Sequence, residues 1–186
     1  MIKHFIDCET SSLNPYSKRY PGEILSLAII TEYGDIRGIQ ENYWLISPQL
    51  IESADPKSLE VNGYTEEGWG ESIPFSSIAA RVSQLLYTGL IIGHNVSFDA
   101  KFLNHALRGC GYRGISYHHF DTRMLIYEHL EEAPKTSMKW CRDFFDMDTE
   151  GAHNALKDAR DCLYLYNLLA RSSAVKRAIW KRKLHR

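Results

Sequence analysis

The order of apolar runs along this 186-residue chain predicts an α/β fold, with helices packed on a sheet. Three observations carry it. The first half reads as a meander of strands, and the second alternates one short strand with helices. Leu90-Ile91-Ile92 is continuously apolar, as a strand covered on both faces should be. Phe75, Ile78, Ala79, Val82, Leu85 and Leu86 recur at helical spacing.

Taken in order, the apolar lead-in Ile2–Ile6 runs into Asp7-Cys8-Glu9 and ends at Thr10-Ser11-Ser12. Side chains alternate along a strand, so Asp7 and Glu9 share one face and Cys8 takes the other. A loop, Asn14–Gly22, follows, bracketed by Pro15 and Pro21 and carrying aromatic and basic residues. Ile24–Thr31 reads as a buried strand, Tyr33-Gly34-Asp35 as a turn, and Ile36–Ile46 as a third strand. The stretch from Pro48 to Pro56 reads as irregular. Ser58–Val61 forms a short helix closed by Asn62-Gly63.

Pro74 opens the next helix, at a position proline tolerates. After Leu90–Ile92 comes Gly93-His94-Asn95, with Ser97 as the expected N-cap of a helix from Phe98 to Arg108. Two helices, Asp121–Glu132 and Thr136–Phe145, are separated by Pro134. The last long helix starts near Asn154 and buries Ala155, Ala159, Cys162, Leu163, Tyr166 and Leu169.

The composition, 44% hydrophobic and 24% charged, is that of a folded globular protein. No apolar run reaches membrane-spanning length, so no membrane association is expected. The N-terminus lacks a signal-peptide pattern, and the four separated cysteines suit a reducing cytoplasm. The net charge of −1 hides an asymmetry: residues 171–186 hold seven Lys or Arg and no acid, leaving 15 basic and 23 acidic groups in residues 1–170. The expected organisation is one domain, residues 1–172, followed by a basic tail, 173–186. That tail could continue the last helix and hold phosphates, or simply keep the chain soluble.

Three acidic patterns fall on elements that suit them. Asp7 and Glu9 share a strand face, where two carboxylates repel unless a cation lies between them. Asp99 sits in the first turn after a central strand, where ligands of open α/β sheets gather and where helix-dipole pairing also suits Asp. Asp158 lies on the shoulder of the last helix's buried stripe. His153 is five residues earlier, about 140° around an ideal helix, so it belongs to the segment entering the helix. Imidazole can take a proton near neutral pH. Asp161 and Glu150 read as solvated neighbours.

With Asp7-Cys8-Glu9-Thr10, His94-Asn95-Val96-Ser97-Phe98-Asp99 and His153 through Asp158 in this order, the chain resembles the DEDDh family of 3′–5′ exonucleases. It is most similar to the DnaQ-like group, which includes ribonuclease T and the proofreading subunit of bacterial DNA polymerase III. Ser58–Thr65 and Asp121-Thr122 resemble supporting segments of that family. Two positions depart from it: Ser11-Ser12 stand where Thr-Gly is frequent, and Asn62 stands where His is frequent.

The resemblance implies a ribonuclease-H-like mixed five-stranded sheet flanked by helices. It implies that Asp7, Glu9, Asp99 and Asp158 hold two Mg²⁺ or Mn²⁺ ions about 3.5–4 Å apart, and that His153 is the general base. Thr10, Leu13, Asn62, His94, Asn95 and Phe98 would bind substrate. The expected partner is nucleic acid with a free 3′ end, single-stranded by preference and DNA before RNA. An exoribonuclease or oligoribonuclease, a carboxylate endonuclease and an inactive nucleic-acid-binding module stay open as alternatives. So do a homodimer and a polymerase partner.

Overall fold

A computed structural model describes residues 1–34, 38–115 and 118–184. The expected turn at Asp35 and the start of the third strand at Ile36 lie outside them. Five strands form one mixed sheet: β1 (Lys3–Thr10), β2 (Ile24–Glu32), β3 (Ile39–Leu45), β4 (Leu90–Gly93) and β5 (His119–Asp121), in the order β3-β2-β1-β4-β5. β1 pairs antiparallel with β2 and parallel with β4. β2–β3 is antiparallel and β4–β5 parallel. The expected sheet is therefore present. The fifth strand has no counterpart in the apolar pattern, because His-Phe-Asp is too short to show a period of two.

Alternation on β1 sorts the layers. Ile6 and Cys8 face a core shared with α2 (Phe75–Leu85) and α3 (Val96–Gly109). Phe5, with Ala28, Ile30 and Ile92 of the neighbouring strands, faces α6 (Ala155–Ala170) through Ala155, Ala159 and Cys162. The small residues of α6 let that helix lie close to the sheet. Each fully buried Ile or Leu in these layers contributes about 1.5–3 kcal/mol. Asp7 and Glu9 follow Phe5 in the alternation and so project toward α6.

A third cluster joins α4 (Thr122–His129), α5 (Met138–Phe145), α6 and α7 (Ala174–Leu184). The tail does not continue the last helix. Arg171 caps α6, and α7 starts again at Ala174, with Trp180 edge-on to Phe145 at 5.2 Å between ring centres.

Two helix starts also differ from expectation. α3 begins at Val96 with Asn95 as N-cap at φ 71°, not at Phe98 with Ser97. Asn tolerates the left-handed region because its short amide loses little there. Gly93 permits the tight turn: a Cβ on it would fall 2.9 Å from the Val96 side chain. α5 begins at Met138, where the Ser137 hydroxyl accepts from the Trp140 N–H.

Candidate active site

The end of β1 carries a register shift between Glu9 and Thr10. Such a bulge bends a strand where side chains must be re-aimed. The shift separates the paired acids from Thr10, whose hydroxyl donates to the Ser12 carbonyl at 2.7 Å. From the other side of the strand comes α3. Asp99 is buried, and its Oδ1 accepts from the Cys8 backbone N–H at 2.9 Å and the Cys8 thiol at 3.2 Å. From α6 comes Asp158. His153 occupies the turn before the Asn154 cap, with φ 63°, exposed to solvent.

Glu9, Asp158 and His153 each offer a ligand atom, and the three atoms lie within 4.8 Å of one another. Burial pushes the Asp7 carboxyl well above the usual range, and the nearby Asp99, Asp158 and Glu9 charges push it further. Glu9 is raised to about 7 by burial and then by Asp158 and Asp99. Asp99 is raised to about 7 by burial, against the hydrogen bonds from Cys8 that lower it. Asp158 is raised by burial against the opposing pull of Arg142. Four carboxyls that resist ionisation together form a donor set suited to a hard divalent cation. The residues present therefore fit the cations expected from the sequence.

These shifts make a pH prediction. In the folded, metal-free protein these acids hold protons above their unfolded values, so their contribution to stability is present below about pH 4 and is lost as pH rises toward 7. The melting temperature of metal-free protein should fall from pH 5 to pH 8, and added Mg²⁺ or Mn²⁺ should restore more of it at pH 8 than at pH 5. Calorimetry with and without chelator checks both signs.

Arg142 is the residue that sequence reading missed. It is buried on α5, and its guanidinium bonds Asp158 Oδ1 through Nη2 and Asp161 Oδ2 through Nε at 2.8 Å. Lys157 Nζ holds the same Asp161 at 2.7 and 2.8 Å and donates to the Asp148 carbonyl at 2.9 Å. Asp161 is thus buried between two cations, which corrects its reading as a solvated acid; Glu150 is exposed. The only sequence signal was a cation beside the apolar residues Cys141, Phe144 and Phe145, and its partners lie on another helix. Arg142→Gln would leave the partly buried Asp158 without its guanidinium partner and the buried Asp161 with Lys157 alone. It should cost about 3–5 kcal/mol, read from urea unfolding of metal-free protein.

The predicted substrate residues divide between two depressions that meet at the acids. Glu9, Thr10, Leu13, Lys57, Val61, Asn62 and Phe98 help to line a cavity of about 230 Å³. Asn62 Nδ2 donates to the Thr10 carbonyl at 3.1 Å, tying α1 (Pro56–Asn62) to the strand end. Leu13 is exposed, whereas Phe98 packs partly on Phe102. His94 and Asn95 line the second depression with Asp7, His153 and Asp158. The His94 ring is engaged at both nitrogens, by Thr122 Oγ1 at 2.8 Å and the Thr136 carbonyl at 2.6 Å, and burial lowers its pKa.

The model of the RNase_T family, described as exonuclease, matches residues 4–166. No curated protein sequence matches the chain. Among solved structures, a 3′-exonuclease in specific recognition of the histone mRNA stem-loop aligns with TM-score 0.71 at 14% identity, over 91% of this chain and 81% of that one. The nuclease domain of 3′hExo, a DEDDh family member bound to rAMP, aligns with TM-score 0.68 at 14% identity, over 91% and 92%. Against a full-length 3′-exonuclease the TM-score is 0.72 at 14% identity, and the chain spans 60% of that protein's length.

Proposed function

The chain belongs to the RNase_T exonuclease family, and on that premise we propose that it hydrolyses nucleic acids from a free 3′ end, releasing 5′-mononucleotides. One observation supports this reading above the rest. Asp7 and Glu9 from β1, Asp99 from α3 and Asp158 from α6 converge beside a solvent-facing His153, at the seam between two depressions. The basic segment 173–186 is read as an appendage to a nuclease domain spanning 1–172.

Asp7, Glu9, Asp99 and Asp158 would hold Mg²⁺ or Mn²⁺, which supplies charge neutralisation at the scissile phosphate and activation of water. The chain's own groups do the rest. The smaller cavity seats the last nucleotide, with backbone at Glu9 and Thr10 facing its 3′-OH and Leu13 and Phe98 beside its base. His153 accepts the proton of the attacking water through a ring nitrogen. The water oxygen bonds to phosphorus, the bond from phosphorus to the 3′ oxygen of the shortened strand breaks, and that oxygen leaves with a proton from solvent.

DNA is the substrate class expected from the sequence. RNA is a second reading, supported by the histone mRNA stem-loop named for one solved relative and the ribonucleotide rAMP named for another. Equal amounts of DNA and RNA of one sequence, incubated side by side with Mg²⁺, test the choice: a faster shortening of RNA overturns the preference for DNA.

A further inference from the structure

The larger depression, of about 650 Å³, is lined by basic and aromatic groups as well as by acids. Beside Asp7, Asp158 and His153 it takes in Arg123 and Tyr127 of α4 and Lys135 of the α4–α5 connection. Arg123 and Tyr127 are four residues apart and lie on one helix face. The Arg123 charge is already met by Asp121, at 2.7 Å from Nη2 and 3.0 Å from Nε. Lys135 is exposed and forms no ion pair with a described residue. Tyr127 leaves half its surface in solvent. The wall carrying Lys135 is fixed, because the Thr136 carbonyl accepts from His94, whose other nitrogen meets Thr122.

We propose that this trough is a binding site for the strand upstream of the cleaved nucleotide, with Lys135 on a backbone phosphate and Tyr127 stacked on a base. This rests on the nuclease reading and adds a direction and a length requirement to it. The smaller cavity, of about 230 Å³, takes the terminal nucleotide, and the larger, of about 650 Å³, takes the strand that leads to it. An exposed ammonium group and a half-exposed phenol lining one depression are the groups that sequence-tolerant single-strand binding uses. The acids repel phosphate until a cation is present, so a lysine in the same depression that forms no ion pair with a described residue gives the strand an attractive charge. A paired duplex would keep its bases away from Tyr127, so the trough favours a single strand.

The test compares wild type, Lys135→Ala and Tyr127→Ala on oligonucleotides of two and of six nucleotides, in whichever sugar wild type cleaves faster. Released mononucleotide is measured by chromatography across a range of salt. In wild type, KM should fall about tenfold with length, the scale of one stacked base. Tyr127→Ala should erase most of that gain. Lys135→Ala should lower the salt slope of log KM for the hexanucleotide by about 0.7, one phosphate on a single strand. Both variants should keep the wild-type KM for the dinucleotide. An unchanged length gain and salt slope in both variants overturns the trough while leaving the nuclease reading intact. Absence of cleavage by wild type on every strand overturns the nuclease reading, and the trough with it.

Discussion

Asp7→Ala is expected to lower metal-dependent release of mononucleotides by about 1000-fold, the scale of several kcal/mol of lost cation-mediated stabilisation, while the fold survives. Asp7 is half-buried at the end of the central strand and faces three other carboxyls, two of which raise its pKa more than Glu9 does. In metal-free protein it is a source of repulsion, so alanine there should leave the melting temperature equal or higher. Added Mg²⁺ should then stabilise the variant less than wild type. Activity and stability should therefore move in opposite directions, which a purely structural role for Asp7 would not produce. Turnover under saturating substrate, with melting scans plus and minus metal, checks both halves.

His153→Asn is expected to lower kcat by about 10²–10⁴-fold, the range for loss of a general base. Asn is a better probe than Ala at this position. The backbone there has φ 63°, and Asn occupies the left-handed region more readily than most residues. The variant keeps the turn but has no basic nitrogen. Metal-induced stabilisation should persist, since the four carboxyls are untouched. Wild-type turnover in His153→Asn would remove the base assignment and leave the metal site standing.

Much of the fold was legible because its signals are local. The alternation that put Asp7 and Glu9 on one strand face needs only neighbouring residues, and so does the apolar run at Leu90–Ile92. The spacing that set His153 off the face of Asp158 needs only helix geometry, and the structure places His153 in the turn before α6. What escaped depends on distant partners. Arg142 and Asp161 become visible as a pair only once α5 lies against α6, because a buried ion pair leaves no periodic trace. β5 gains strand character by pairing with β4, not from its own three residues. α3 starts early because Asn95 accepts a left-handed backbone that serine would resist. The tail's break was missed although its signal is local: Ser173 precedes α7, and its hydroxyl accepts from the Lys176 N–H.

The most direct test uses a short 5′-labelled strand with a free 3′-OH and a closed circle of the same sequence, each with Mg²⁺ and with chelator. The linear strand should shorten one nucleotide at a time from its 3′ end with Mg²⁺ and stay whole with chelator, and the circle should stay intact throughout. Nicking of the circle, early release of the 5′ label as a mononucleotide, or equal cutting in chelator would contradict it.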